Sequence, residues 1–106
     1  MRRIELRGER EVTAPGSVSA RVRRLAGDAH VVVIEVGPRG VVARHPAVGA
    51  QLLAVVQGSG WVSGGDGERE SIDAGEAVLW EPGEEHESGS ELGMTVLVVE
   101  EETLDL

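Results

Sequence analysis

The sequence predicts a single-domain, all-β protein folded as a double-sheet jelly-roll barrel with little or no helix. Three observations carry that prediction. Val, Ile and Leu gather in short runs, and no segment sustains the 3.6-residue apolar period of an amphipathic helix. Gly, Pro, Asp or Ser close nearly every run, at 15–16, 27–28, 37–38, 58, 64–67, 82–83 and 89. The chain has 106 residues, which suits one core and leaves no room for a second, so the domain is taken as 1–106.

Taken in order, strands are expected at 3–6, 17–25, 29–36, 51–56, 60–63, 70–72, 77–80 and 94–100. Residues 17–25 alternate small or basic with apolar side chains, so one face is largely polar. Residues 29–36 are almost continuously apolar, the pattern of a strand covered on both sides, here at a subunit contact. In 51–56 alternation sets Gln51, Leu53 and Val55 on one face and Leu52, Ala54 and Val56 on the other. An amide among Leu and Val needs a partner, since leaving it unpaired costs about 1–3 kcal/mol. The Gly-Gly-Asp-Gly run at 64–67 supplies the positive φ of a tight hairpin before 70–72. Many short strands at close spacing make a sandwich or barrel.

Composition narrows the function classes. Hydrophobic residues make up 41% of the chain, which is ordinary for a globular domain. The only aromatics are Trp61 and Trp80, so small aliphatic side chains fill the interior and make a cavity easy to leave. Without cysteine there is no disulfide, thiolate site or Cys nucleophile. A net charge of −9 opposes a nucleic-acid partner. No stretch of ~20 apolar residues and no basic-then-apolar leader points to a membrane, and a cytoplasmic location is expected. All ten basic residues are Arg, read as a GC-rich, bacterial coding bias. Seven of them crowd the first quarter and acids crowd the end. Such blocks are usually solvated faces, the alternative being a basic start that pairs with acidic surface elsewhere, including across a dimer.

The candidate site rests on two histidines, His45 and His86, each in a stretch punctuated by Gly and Pro that reads as a turn between strands. In 40–60 the order is Gly40, then His45, Pro46, Ala47, three residues, Gln51, six residues and Gly58. In 75–90 it is Gly75, five residues, Glu81, Pro82, Gly83, two residues, His86, three residues and Ser90. These stretches resemble the paired motifs of the cupin superfamily, Gly with H-x-H, Glu and Gly, followed by G-x5-P-x-G-x2-H-x3-N. The tight resemblance covers about half the chain. It implies a double-stranded β-helix and a site in the barrel. The chain departs at Ala47 (family His), Gln51 (family Glu), Pro82 (displaced by one) and Ser90 (family Asn).

The resemblance implies metal ligation at His45, Gln51 and His86, with Ala47 supplying no donor. That neutral set would hold an optional divalent ion (Ni, Mn, Fe or Zn) weakly or not at all. Trp80 is added as a ligand-binding residue at a pocket mouth, with a rim or dimer-interface role as its alternative. Glu84, Glu85 and Glu87 flank His86 and read first as a charged turn facing water. His30 has no partner motif and is read as structural. No P-loop, dinucleotide fingerprint, zinc-protease helix or nucleophile elbow is present.

Three functions follow as expectations. The first is a cupin that binds a small polar molecule in the barrel, with the optional ion. The second is a metal-dependent dioxygenase or isomerase. The third is a structural or interaction module with a filled barrel. A homodimer is expected, with no nucleic-acid or membrane partner.

Overall fold

The computed structural model describes residues 1–4, 10–11, 21–22 and 30–101. All regular structure there is β-strand: β1 (Arg2–Ile4), β2 (Arg10–Glu11), β3 (Arg21–Val22), β4 (His30–Val36), β5 (Gly40–Pro46), β6 (Ala50–Ser63), β7 (Arg69–Asp73), β8 (Ala77–Trp80), β9 (Glu85–Ser90) and β10 (Met94–Glu101). Most of the strand expected at 17–25 lies outside the described residues.

Every pairing is antiparallel. One run of strands is ordered β1-β8-β6-β10-β4, and a second is joined as β5-β9-β6-β7, while β2 and β3 pair separately. The long β6 belongs to both: its first half pairs with β8 and β10, its second half with β7 and β9. The expected break at Gly58 is therefore a corner within one strand. Gly58 has φ +82°, and a Cβ there would stand 2.4 Å from the Gly93 carbonyl oxygen, so only glycine lets the strand turn at this point.

The interior follows strand alternation. Leu53 and Val55 of β6, Val78 and Trp80 of β8, and Met94, Val96 and Val98 of β10 face the second run of strands, which contributes Val62 and Ile72. The opposite face of the first run carries a separate apolar layer that includes Leu52, Ala54, Leu79 and Val99. The hairpin after β6 closes as expected, with the Gly67 amide donating to the Gly64 carbonyl at 3.0 Å and Gly67 at φ +75°.

Among the described residues β4 pairs only with β10, and Val31 and Val33 are 59% and 62% exposed, so the cover expected for this strand at a subunit contact is not supplied by described residues of the chain itself. One expectation needs correction: His45 and His86 do not lie in turns but in β5 and β9, which pair with one another. On the basic start, Arg3 reaches acidic surface within the same chain, 3.7 Å from Glu70 and 3.6 Å from Glu76.

Candidate functional site

His45 and His86 are register partners across β5 and β9. A register shift between Val42 and His45 reverses the alternation of β5, so that His45 follows Val42 onto the inner face. The two ring centroids are 4.3 Å apart and tilted by 56°. His45 is exposed, whereas His86 is 2% exposed, so the pair runs from solvent into the barrel.

Main-chain carbonyls fix both tautomers. His45 Nδ1–H donates to the Ala43 carbonyl at 2.7 Å, and His86 Nδ1–H donates to the Glu84 carbonyl at 3.1 Å. A carbonyl can only accept, so each neutral ring carries its proton on Nδ1 and presents a bare Nε2 lone pair. The Nε2 of His86 is buried with no hydrogen-bond partner. Burial pushes the His86 imidazolium below its ordinary range. The Glu84 carbonyl opposes that shift, His45 adds to it, and the Glu84 and Glu100 carboxylates oppose it.

Trp80 stands behind this pair. Its indole stacks on His86 at 4.3 Å and 27°, donates from Nε1 to the Ser63 carbonyl at 3.1 Å, and is fully buried. The residue expected at a pocket mouth therefore holds the His86 ring from beneath. Glu84 works as a clamp on the loop rather than as a charge facing water. Its carboxylate accepts from the Gly65 and Glu81 amides, each at 3.0 Å, and from the Met1 ammonium, while its carbonyl accepts from the Ala47 amide and from His86. Burial would raise its carboxyl group, but these bonds outweigh burial and hold it below the ordinary value.

Gln51 lies on the same inner face, 7% exposed and opposite Trp80. On its other side it pairs with Glu100 of β10, which in turn pairs with His30 of β4. A row of His30, Glu100, Gln51 and Trp80 thus crosses the first run of strands and ends under His86. Sequence reading missed the outer half of this row: Glu100 was absorbed into an acidic terminal block and His30 was set aside. The available signal was alternation, since Val96, Val98 and Glu100 share a face.

Toward a divalent ion the donor set falls short. Two imidazole nitrogens and a neutral amide remain where Ala47 supplies nothing, and among the described residues no three of His, Asp and Glu gather into a metal-holding group. Ala47 is 3% exposed and packs in the core. A cleft of about 390 Å³ lies at the other end of the β6–β10 ladder, lined in part by Glu35, Gln57 and Thr95, and holds none of the histidines.

No protein-family model matches the chain, and no curated protein sequence matches it. Solved structures do. A cupin-2 domain protein from Shewanella frigidimarina has a TM-score of 0.61 at 16% identity, with 71% of this chain and 72% of that one covered. A predicted oxalate decarboxylase from Thermotoga maritima has a TM-score of 0.60 at 21% identity, covering 65% and 62%. The polyketide cyclase RemF from Streptomyces resistomycificus has a TM-score of 0.62 at 26% identity, covering 76% and 59%. The match spans less than two thirds of the length of two of these three neighbours. They share a fold and differ in named activity.

Proposed function

From the cupin fold that this chain has, we propose that it binds a small polar molecule where His45 and His86 line the solvent-facing end of the barrel. The observation that carries this reading is the buried Nε2 of His86, unpartnered beside an exposed second imidazole. An unpaired buried polar atom costs about 1–3 kcal/mol, and a ligand that donates to it recovers that cost. Trp80 and the Glu84 carbonyl fix the ring in advance, which reduces the ordering needed on binding. A divalent ion would be an exchangeable, weakly held occupant. The enzyme reading, with an ion completing its shell from water, has support only from the named activities of fold neighbours.

The test is a thermal-shift screen of small polar compounds against the parent chain, His45→Ala and His86→Gln, with calorimetric titration of nickel alongside. The expected result is a compound that stabilises the parent and loses its effect in both variants, while nickel binds weakly. A compound that shifts all three proteins alike would place binding elsewhere, and tight stoichiometric nickel binding would favour the metalloenzyme.

We also propose a homodimer through β4, because Val31, Val32 and Val33 are exposed in succession on a strand whose other edge pairs with no described strand. Sedimentation should return twice the chain mass for the parent and the chain mass for Val33→Glu. A parent that sediments as a monomer at micromolar concentration removes this reading.

A further inference from the structure

Resting on the site reading above, we propose that Glu84 is the positioning residue of this site. Its carboxylate fixes the carbonyl that keeps the His86 proton on Nδ1, which makes the buried Nε2 an acceptor. Glu84 ends the turn 81–84 between β8 and β9, two residues before His86. Gly83 has φ +81° there, and the Glu84 amide closes the turn on the Glu81 carbonyl at 3.0 Å. The side chain folds back over the same turn, where Oε1 accepts the Glu81 amide at 3.0 Å. Oε2 reaches the hairpin after β6, accepting the Gly65 amide at 3.0 Å and the Met1 ammonium. A Cβ on Gly64 would run into that oxygen, so glycine at 64 lets the hairpin close on the carboxylate.

The Glu84 main chain is thereby held against β5 as well. Its carbonyl accepts the Ala47 amide at 3.0 Å, and the Gly83 amide donates to the Ala47 carbonyl at 2.8 Å. The second lone pair of the Glu84 carbonyl takes the His86 Nδ1–H at 3.1 Å. His45 makes the same bond to the carbonyl two residues before it, but that carbonyl belongs to a strand rather than to a turn. A neutral imidazole carries one proton, and the bond made by one nitrogen decides the role of the other. If the Glu84 carbonyl lets go, the proton can sit on Nε2, and the buried atom becomes a donor. The same site would then favour an accepting ligand. Glu84 therefore sets, through His86, which hydrogen-bonding class the site takes.

The test reads the tautomer directly, by nitrogen NMR of the His86 ring at a pH where it is neutral, and needs no ligand. The parent should show a protonated Nδ1 and a bare Nε2. In Glu84→Ala the ratio of that tautomer to the other should fall about fivefold, the scale of one buried hydrogen bond. Glu84→Gln, which keeps the length and one accepting oxygen, should fall between the two. Gly64→Ala, which crowds the carboxylate from the hairpin, should shift the ratio the same way. Glu85→Gln, an exposed acid beside His86, should leave it unchanged. The His86 titration midpoint should drop further in Glu84→Ala, because the Glu84 carbonyl and carboxylate both hold it up. A parent with its proton on Nε2 overturns the proposal at once. So does an unchanged tautomer in the variants, even with a lower urea midpoint, since Glu84 would then only stabilise its turn. A titration midpoint that rises also overturns it, because burial holds that midpoint down and a rise means that the loop has opened to water. The compound screen decides the ligand reading separately: if no compound engages the histidines while the tautomer moves as stated, the hold of Glu84 on His86 stands and the ligand reading falls.

Discussion

Strands β10 and β9 have the same geometry and opposite chemistry. In β10 alternation buries Met94, Val96 and Val98; in β9 it buries His86, Ser88 and Ser90. Both sets point into one barrel. The difference is that an apolar side chain needs only contact, whereas each buried polar group needs a named partner. Ser90 has two, donating to the Ser59 carbonyl at 2.6 Å and accepting from the Gly93 amide at 2.8 Å. His86 has one, and its second nitrogen is left free. The polar strand is thus where the fold keeps an unspent interaction. Barrel stability should reside mainly on the β10 side and ligand chemistry on the β9 side.

The sharpest way to break that division is to truncate each side. Leu53→Ala, in β6 facing the apolar half, should cost about 2–5 kcal/mol, because the surrounding residues cannot collapse fully into the void. Ser90→Ala, in the polar half, should cost about 1–3 kcal/mol by stranding a carbonyl and an amide. Urea unfolding measures both. A Leu53→Ala loss below that of Ser90→Ala would mean that hydrogen bonding, not packing, holds the barrel.

The same contrast explains what could be read in the sequence. The strands 77–80 and 94–100 were legible almost to the residue because Val, Leu and Met mark them, and the hairpin at 64–67 because glycine marks it. β5 and β9 were read as turns. β9 is EHESGS, without one apolar residue, and β5 hides its alternation behind a register shift. A hydrophobic period cannot find a strand whose buried residues are polar. What located the histidines was motif spacing, which carries no information about pairing, so the His45–His86 contact emerged only from the ladder.

Acid should expose the β9 side first. Burial holds the His86 imidazolium below its ordinary value of 6.5, so the folded chain resists a proton that the unfolded chain accepts. Stability from this group is complete above that value and is lost as pH falls from there toward the lowered folded value. Glu84, also lowered, contributes stability above its ordinary 4.5 and loses it only on further acidification. Urea midpoints for the parent should therefore decline from pH 7.5 to 5.5, and those of His86→Gln should decline less. A midpoint that rises with acid would mean that His86 is charged in the folded chain.

The smallest effect should come from a second buried serine. Ser63 is fully buried, and its hydroxyl has no partner, although its carbonyl receives the Trp80 indole N–H at 3.1 Å. Ser90→Ala removes a hydroxyl that satisfies two other groups; Ser63→Ala removes one that satisfies none and was itself desolvated on folding. The asymmetry of buried hydrogen bonding then predicts a change near zero, or a gain of up to about 1 kcal/mol. Because the main-chain carbonyl remains, the Trp80 contact and the stacked His86 ring should keep their places, and the NMR signals of both rings should hardly move. A loss at Ser63→Ala as large as that at Ser90→Ala would show that a water or an unrecognised donor completes Ser63, and that the polar half of the barrel holds a second supported hydroxyl rather than an idle one.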